Sequence, residues 1–405
     1  LLSYTNRAVD EICGMLVEAG IDFIRIGNEL SCATPYKPYL ISQAIGERPK
    51  LSDMRQRLTD ARVVVATTSM IQARPFLFSL KHFSTAIVDE CSQILEPGII
   101  GLLASHRPTA GRTDGNRCNI DKFILIGDYK QLPAVVQQND GDAAVTDPLL
   151  MDIGLKDCKS SLFERLFRQE KKHGRTAFIG TLQRQGRMHP QIADFPAREF
   201  YSDERLMPVP LSHQLETAVG YQKPSEDATD DLLKQHRLLF FASQKSNQPS
   251  VSDKVNADEA TLVVDLLRRI RRFYGTRFDP DKTVGVIVPY RNQIAMIRRE
   301  IDRLGMPELG EVSIDTVERY QGSQRDVIIY SFTIRHRYQL DFLTANTFEE
   351  NGHIIDRKLN VAMTRARCQL ILTGNPEVLK HSPVFAKMMK YIDEKNGAFI
   401  WQRER

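Results

Sequence analysis

Short hydrophobic runs recur along the chain, and small or polar residues directly follow most of them. Runs of this length predict buried β-strands. Between the runs lie longer stretches whose apolar residues return at spacings of three and four, which predicts amphipathic helices. We predict strands over residues 21–26, 62–66, 85–88, 123–126, 238–242, 284–288, 312–314, 327–332 and 369–372.

The predicted helices lie between these strands, so strands and helices alternate along most of the chain. The first helix carries Val9, Ile12, Met15 and Leu16 on one face. Further helices are predicted over 161–167, 256–273, a stretch from 291, 358–364 and a stretch after Pro383. Such alternation predicts parallel sheets joined by right-handed crossovers. The predicted fold class is therefore α/β, with two parallel-sheet domains in tandem.

The chain of 405 residues is long enough for two domains. We place the boundary near 175–182, which gives a first domain over 1–178 and a second over 179–405. Residues 27–60 are polar and interrupted by prolines, and they are predicted to form a small helical subdomain inserted in the first domain. Loops or irregular structure are predicted over 105–119, 137–159 and most of 201–255.

Composition excludes several classes of protein. Hydrophobic residues make up 42% and charged residues 26%, which is ordinary for a globular protein. No apolar run approaches the roughly 18 residues of a membrane span, so no membrane partner is expected. The net charge of +4 permits nucleic-acid binding without arguing for it.

The six cysteines form no CxxC pair and no Cys/His cluster, which argues against a zinc or iron–sulfur site. They are typical of a reducing compartment, so we expect the cytoplasm, or the nucleus in a eukaryote. The chain opens without Met, and we expect it to be a fragment of a longer protein.

Polar side chains that could take part in catalysis or binding follow two of the predicted strands. Asp89 and Glu90 end the run at 85–88, where one carboxylate could hold Mg²⁺ and its neighbour could activate a water. Thr67 and Thr68 end the run at 62–66, and their hydroxyls suit a phosphodiester backbone. The alternatives are a solvated strand end for the acidic pair and a helix N-cap for the threonines. The arginine cluster at 268–272 is interpreted as a solvated face at a helix C-terminus, where positive charges interact favourably with the helix dipole.

Six stretches occur in a fixed order, and together they closely resemble the motifs of superfamily 1 helicases. The resemblance is closest to the branch that contains the nonsense-mediated mRNA decay helicase and the replication helicase-nuclease, and it covers almost the whole chain. The stretches are 89–93, 127–133, 185–190, 288–293, 320–322 and 359–367. The resemblance implies two tandem RecA-like P-loop NTPase domains that hydrolyse ATP between them.

The resemblance also implies roles for individual residues toward ATP and Mg²⁺. Asp89 would bind Mg²⁺, and Glu90 would activate the attacking water. Gln131 would sense the γ-phosphate, and Arg187 and Arg365 would act as arginine fingers, which are worth roughly 10³–10⁵ in rate in well-studied phosphoryl transfer. The remaining nucleotide contacts would come from Gln185, Gln321, Gly322 and Gln324.

A second set of residues resembles the family's path for single-stranded DNA or RNA. Backbone contacts, together with base stacking on an aromatic ring at Tyr290, would give binding with little sequence preference. The motifs do not separate DNA from RNA, because that depends on contacts to the 2′-hydroxyl. The residues in this set are Thr5, Asn6, Thr67, Thr68, Pro289, Tyr290 and Thr316.

The sequence departs from the family pattern at three places. No GxxxxGK[ST] stretch, which would cradle the phosphates, is present in the 405 residues. We therefore expect this chain alone to hydrolyse ATP negligibly, with the phosphate loop located upstream in the full protein. Gly186 stands where the family usually has a Tyr that helps to hold the base, and Gln324 replaces a common acidic residue.

The predicted function is an ATP-dependent helicase or translocase, which the resemblance implies moves 5′ to 3′ on a single strand. Two alternatives remain open. One is a nucleic-acid-binding scaffold without ATPase activity, which the missing phosphate loop favours. The other is an ATPase that remodels protein–nucleic acid complexes without unwinding.

Overall fold

Parallel β-sheets form the centre of both halves of the chain. The computed structural model describes residues 1–44, 50–107, 117–243 and 252–400. By their contacts they divide into a first unit, Leu1–Tyr129 with Pro133–Gly180, and a second unit, Lys130–Leu132 with Thr181–Arg405. Parts of the predicted subdomain at 27–60, of the loop at 105–119 and of the irregular stretch at 201–255 lie outside the described residues.

The first unit contains a parallel sheet in the order β2-β3-β1-β4-β7. Its strands are β1 (Leu2–Ser3), β2 (Ile24–Ile26), β3 (Val64–Thr67), β4 (Phe83–Val88), β5 (His106–Arg107), β6 (Arg117–Cys118) and β7 (Ile120–Leu125). Its helices are α1 (Asn6–Glu18), α2 (Leu51–Asp60), α3 (Thr68–Gln72), α4 (Leu77–Leu80), α5 (Pro97–Leu103), α6 (Asp140–Ala143), α7 (Pro148–Asp152) and α8 (Leu162–Lys172).

The helix α1 illustrates how the sequence builds this unit. The Thr5 side chain caps the helix by accepting a hydrogen bond from the backbone N–H of Ala8, at 3.2 Å. Val9, Ile12 and Leu16 are buried, as predicted. Met15 was wrongly assigned to the same face, because its side chain is 61% exposed and the small, buried Cys13 fills the position beside Val9 instead.

The second unit has a parallel sheet in the order β12-β11-β13-β16-β10-β17. Its strands are β8 (Arg184–Gln185), β9 (Met207–Pro208), β10 (Leu238–Ala242), β11 (Val284–Val288), β12 (Ser313–Thr316), β13 (Arg325–Ser331), β14 (Thr347–Glu350), β15 (His353–Asp356), β16 (Ala366–Gly374) and β17 (Ala398–Ile400). Its helices are α9 (Pro190–Glu199), α10 (Ser212–Leu215), α11 (Ala228–Gln235), α12 (Ala257–Tyr274), α13 (Arg291–Leu304), α14 (Pro307–Gly310), α15 (Val317–Tyr320), α16 (Leu340–Leu343), α17 (Arg357–Met363), α18 (Pro376–Leu379) and α19 (Pro383–Glu394).

Both faces of the second sheet are apolar, as expected for a sheet covered by helices on each side. Along β10, Leu239 and Phe241 belong to one hydrophobic cluster, which includes the buried residues of α12 and α13. Leu238 and Phe240 belong to another, which includes residues of α9, α17 and α19. Side chains of a strand alternate between its faces, so the two clusters lie on opposite faces of the sheet.

The predicted α/β class with parallel sheets is confirmed. The structure corrects the prediction for two segments that were expected to be loops or irregular structure. Residues 137–159 contain α6 and α7, and 201–255 contain α10 and α11, which are too short to show a helical period in the sequence. The prediction of a solvated face at 268–272 is wrong for Arg269, which is buried and bonded to carboxylates of α12 and of the segment before β10.

Candidate functional site

The carboxyl ends of the strands in the first unit gather several predicted site residues, and this is the edge where parallel sheets bind ligands. The backbone N–H of Asp89 donates to the carbonyl of Leu2 at 2.8 Å, which places the residue beside the end of β1. On its other side, the N–H of Ile126 donates to the carbonyl of Val88 at 2.8 Å. The acidic pair therefore lies between the chain ends that lead to Thr5 and to Gly127.

Asp89 and Glu90 differ in how the protein holds them. Within the described part of the chain, the half-buried carboxylate of Asp89 has no hydrogen-bond or ion-pair partner. Glu90 takes a left-handed backbone conformation, with φ 52° and ψ 35°, which costs about 1 kcal/mol or more for a residue with a Cβ. Its Oε2 accepts a hydrogen bond from Nε2 of Gln93 at 2.7 Å. The carboxylate of Asp89 is thus available for a ligand, and the carboxylate of Glu90 is oriented by its hydrogen bond from Gln93.

Gly127 lets two loops at this edge approach each other. A Cβ on this residue would lie 2.8 Å from the backbone nitrogen of Ser92, which is too close for a real side chain. The Ser92 hydroxyl accepts a hydrogen bond from the N–H of Asp128 at 3.2 Å. Close approach of two backbones therefore explains the glycine at this position.

The predicted nucleic-acid residues of the first unit differ in exposure. Thr5 and Asn6 are exposed at the start of α1. Thr67 and Thr68 are 7% and 5% exposed, and the Thr67 hydroxyl accepts from the N–H of Met70 at 3.2 Å. This is the N-cap that the sequence left open as an alternative. A contact from Thr67 or Thr68 to a nucleic acid remains a prediction.

The segment Lys130–Leu132 packs with the second unit. Lys130 is 3% exposed, and its ammonium pairs with Glu204 at 2.9 Å and Glu350 at 3.0 Å. Burial opposes the charge of Lys130, but the hydrogen bonds to the two carboxylates outweigh burial and raise its pKa. The side-chain amide of Asn360 donates to the Lys130 carbonyl and to the Tyr201 hydroxyl, both at 2.8 Å. Together these contacts fix the backbone on which Gln131 stands.

Sequence reasoning passed over Lys130 and Asn360 as site residues, although both lie within the family-like stretches 127–133 and 359–367. For Asn360 the signal was a polar side chain between the apolar Leu359 and Val361, because a buried polar group needs a partner. Lys130 lies between Tyr129 and Gln131 and gave no such signal. Its partners Glu204 and Glu350 come from stretches that resemble no motif.

The two predicted arginine fingers lie close together in the second unit because both contact Thr364. Arg365 is 2% exposed, and its Nη2 donates to the Thr364 hydroxyl at 3.0 Å and to Oε1 of Gln131 at 3.2 Å. Nη1 of Arg187 donates to the Thr364 carbonyl at 3.2 Å, and its Nε donates to Oε1 of Gln324 at 3.0 Å. The structure thus brings together Gln131, Arg187, Gln324 and Arg365.

The other residues predicted to contact the nucleotide divide into two groups. The Gln185 side chain closes a turn, since its Oε1 accepts from the N–H groups of Arg187 and Met188 and its Nε2 donates to the Met188 carbonyl. By contrast, Nε2 of Gln321 is buried without a hydrogen-bond partner in the described structure. Gly322 beside it has φ +80° and open space at its Cβ position. The side-chain amide of Gln321 therefore has an N–H group that could donate to a ligand, whereas the side-chain amide of Gln185 is already hydrogen-bonded to the backbone.

Tyr290 does not present a free ring. It is 8% exposed and stacks against Phe342, with the ring centroids 4.9 Å apart. Burial raises the pKa of its hydroxyl. Pro289 is also buried, and Thr316 is half-buried at the end of β12. Phe342 covers the Tyr290 ring in this structure, and direct stacking of a base on Tyr290 remains a prediction.

In the ranges that the structure describes, no group of three or more His, Cys, Asp or Glu side chains could hold a metal ion. Those ranges also contain no helix whose length and apolar character would let it cross a bilayer.

Comparison with known families agrees with the motifs. A family described as an AAA domain matches residues 158–377, and a second AAA domain family matches residues 41–139. The first match spans more than half of the chain. It extends from just before α8 to α18 and includes both arginines that contact Thr364.

Several curated relatives are helicases by name. DNA polymerase alpha-associated DNA helicase A of Saccharomyces cerevisiae is 26% identical over 351 residues, which are 82% of this chain and 45% of that protein. The DNA replication ATP-dependent helicase/nuclease DNA2 of Mus musculus is 28% identical over 412 residues, covering 97% of this chain and 34% of that protein. The chain therefore spans less than half the length of either relative.

Among solved structures, Arterivirus nonstructural protein 10 (helicase) is similar at 12% sequence identity and a TM-score of 0.39. The similarity covers 93% of this chain and 52% of that one.

Proposed function

The chain belongs to the superfamily 1 helicases, in the branch of the nonsense-mediated mRNA decay helicase and the replication helicase-nuclease, and from this we propose that it is the motor region of an ATP-dependent helicase acting on single-stranded nucleic acid. The observation that carries the proposal is the pair Asp89 and Glu90 at the carboxyl edge of the first sheet. One carboxylate has no protein partner in the described structure, and the other is held by Gln93 in a left-handed conformation.

The available carboxylate fits a magnesium ion. Mg²⁺ prefers oxygen ligands and is usually bound by one or two carboxylates, waters and substrate phosphates. Asp89 supplies such a carboxylate without losing an existing hydrogen bond. When bound there, Mg²⁺ would neutralise charge on the phosphates of ATP. Glu90 lies next in the chain, and its carboxylate, with one oxygen bonded to Gln93, would accept the proton of the attacking water.

The second unit contributes positive charge and a hydrogen-bond donor. We propose that Arg187 and Arg365 stabilise charge on the transferred phosphoryl group, because both side chains are oriented through Thr364. Gln131 would report the nucleotide state, since its amide already contacts Arg365. Gln321 would donate its unpartnered N–H to the nucleotide, and Gly322 would leave room for it.

ATP hydrolysis by the protein translated from the full reading frame, measured with single strands present, tests the role of the acidic pair. We expect Glu90→Gln to lower turnover by at least about 10²-fold, because general-base catalysis contributes about 10²–10⁴. Glu18→Gln, an exposed residue of α1, is the matched control and should leave turnover unchanged. Undiminished turnover of Glu90→Gln would contradict the assignment.

Because the GxxxxGK[ST] stretch is missing, ATP hydrolysis should be compared between this chain and the protein translated from the full reading frame. We propose that the 405-residue chain hydrolyses ATP far more slowly than the protein translated from the full reading frame, because its sequence contains no GxxxxGK[ST] stretch to cradle the phosphates. If neither protein hydrolyses ATP while both bind single strands, the binding scaffold without ATPase activity becomes the better description.

We also propose 5′-to-3′ movement, by analogy with the family. Partial duplexes with a 5′ or a 3′ single-stranded tail test the polarity, and unwinding of only the 5′-tailed substrate is expected. Hydrolysis without unwinding of either substrate would instead favour an ATPase that remodels protein–nucleic acid complexes.

A further inference from the structure

An exposed group of aromatic and basic side chains follows strand β13 in the second unit. We call Arg335, Arg337, Tyr338 and Phe342 the stacking surface. Tyr338 is 58% exposed and Phe342 is 43% exposed, and the side chains of Arg335 and Arg337 are partly or fully exposed. Because the group follows the end of a parallel strand, it lies at the edge of the sheet where ligands bind.

The backbone beneath the stacking surface is fixed at both ends. The buried Thr333 has φ 62°, and its N–H donates to the buried carboxylate of Glu259 at 3.0 Å. Further along, Oε1 of Gln339 accepts from the N–H groups of Arg335 and His336, both at 2.9 Å. The Gln339 amide also donates to the Asp253 carbonyl at 2.6 Å. These bonds hold the segment in one conformation.

Phe342 is covered on part of its ring and exposed on the rest. Tyr290 stacks against the ring with the centroids 4.9 Å apart, and the ammonium of Lys358 lies 4.0 Å from the ring centroid. Tyr290 and Lys358 are only 8% and 6% exposed, whereas Phe342 is 43% exposed. The buried Tyr290 thus supports a second ring that reaches the surface.

The charge around these rings is mainly positive. Arg335 and Arg337 belong to the stacking surface, and Arg291 is exposed at the start of α13, directly after Tyr290. Of the acidic groups on the same elements, Asp253 accepts a hydrogen bond from the Tyr338 hydroxyl and Asp341 is exposed. Exposed aromatic rings beside arginines suit a chain of phosphates and bases.

We propose that the stacking surface binds single-stranded nucleic acid, with a base stacked on the exposed part of Phe342 rather than on the buried Tyr290. The proposal rests on the proposed function and adds the residues that hold the bases. Tyr338 would take a neighbouring base, and Arg335 and Arg337 would contact phosphates. Because stacking needs only the flat face of a base, the site would bind with little sequence preference.

Binding of fluorescent single strands to the full 405-residue chain, followed by anisotropy, tests the proposal. We expect Phe342→Ala to raise Kd by about tenfold or more for an oligothymidylate. Phe342→Trp keeps a flat ring and should keep the affinity. Phe76→Ala removes an exposed Phe from the crossover between β3 and β4 of the first unit, and it should leave Kd unchanged.

An abasic strand of equal length separates stacking from other causes. It has phosphates and no bases, so Phe342→Ala should bind it as the wild type does. Arg337→Ala should weaken both strands equally and reduce the slope of log Kd against log salt by about 1. Tyr338→Ala is a second variant to use if Phe342→Ala does not fold, and it should also weaken only the strand with bases.

The outcomes distinguish the two proposals. If the wild type binds no single strand at all, the proposed function fails. If the wild type binds and the alanine variants at Phe342 and Tyr338 bind as tightly, or lose affinity equally for the abasic strand, the stacking surface is overturned while the proposed function stands.

Discussion

Glu259 is fully buried where strands β10, β13 and β16 end, and its carboxylate accepts hydrogen bonds from several elements. Burial raises its pKa to about 7, although these hydrogen bonds act in the opposite direction. A single carboxylate therefore ties together three strand ends and the start of α12. The donors are the hydroxyls of Ser243, Ser331 and Thr373, the side-chain amide of Asn256 and the N–H of Thr333.

Glu259→Gln should lower the free energy of unfolding by about 1–3 kcal/mol. Either orientation of the new amide points an N–H group at another donor, Thr333 N–H or Asn256 Nδ2, and an unsatisfied buried donor costs about that much. Urea unfolding measures the loss. Glu349→Gln, on the exposed side of β14, is the control and should change stability by less than about 0.5 kcal/mol. Equal stability of the two variants would contradict this account.

Glu259 also predicts how stability depends on pH. Its folded-state pKa of about 7 lies above the ordinary 4.5, so the folded state holds the proton more tightly. The stability from that proton is fully present below about pH 4.5 and is lost as pH rises through about 7. We expect the free energy of unfolding to fall across that window in the wild type and to fall less in Glu259→Gln. Identical pH profiles would be inconsistent with the raised pKa.

Part of that slope should remain in Glu259→Gln because of Asp356. Burial raises the pKa of this carboxyl from 3.8 to about 6, which acts in the same direction. The difference between the wild-type and variant profiles, rather than either profile alone, therefore measures Glu259.

Individual residues show why sequence could predict the position of the acidic pair better than the exposure of other side chains. Asp89 and Glu90 were predicted from a run that ends in acids, and the structure puts them at the expected edge of the sheet. Tyr290 was predicted from its motif to line the nucleic-acid path, and Phe342, more than 50 positions away, covers its ring. Exposure depends on such long-range packing, which one stretch of sequence does not contain.

At the scale of elements, α12 illustrates how a helix terminus can be misread. Its last turns contain the arginines predicted to face solvent. Arg269 instead bonds Asp265 of the same helix and, from the segment before β10, Asp227 and Asp230. Asp230 is fully buried and is also bonded by Arg272. The network ties α12 to α11, so the cluster of positive charge has a structural role within the unit.

Arg269→Ala should destabilise the second unit by about 3 kcal/mol, because it removes one partner of a buried pair. Arg272 remains bonded to Asp230, which keeps the loss at the lower end of the usual range. Arg268→Ala is the matched control: Arg268 is 41% exposed and pairs with Asp265, and such surface pairs contribute at most about 1 kcal/mol. Thermal unfolding measures both, and similar losses from the two variants would contradict the difference in burial.

Strands were predicted more accurately than the connections between them. The apolar runs of β10, β11 and β13 are buried on both faces, and this leaves a continuous signal in the sequence. The short helices α6, α7, α10 and α11 have too few residues to show a period of 3.6. Their ends are set by caps such as Asp147 and Asp227, which resemble ordinary loop residues when read alone.

At the scale of the whole molecule, the chain changes unit at an unexpected place. The stretch 127–133 resembles one motif, yet Gly127 and Asp128 contact Ser92 of the first unit, while Lys130 is bonded to Glu204 and Glu350 of the second. The alternation of strands and helices predicts two α/β halves, but it does not show which half holds a connecting segment. That assignment depends on buried ion pairs between residues distant in sequence.

If Gln131 senses the nucleotide as we propose, this arrangement gives Lys130 a role in coupling the binding of single strands to ATP hydrolysis. Lys130→Ala removes the ion pairs that fix the backbone of Gln131 in the second unit. We expect stimulation of ATP hydrolysis by single strands to fall by about fivefold or more, within the usual 1–3 kcal/mol of coupling between sites. The measurement is ATPase rate with and without a saturating single strand, in the full-length protein. Lys122→Ala, at an exposed position of β7, controls for loss of positive charge and should leave stimulation unchanged. Full stimulation of Lys130→Ala, with normal strand affinity, would show that the position of Gln131 does not depend on these ion pairs.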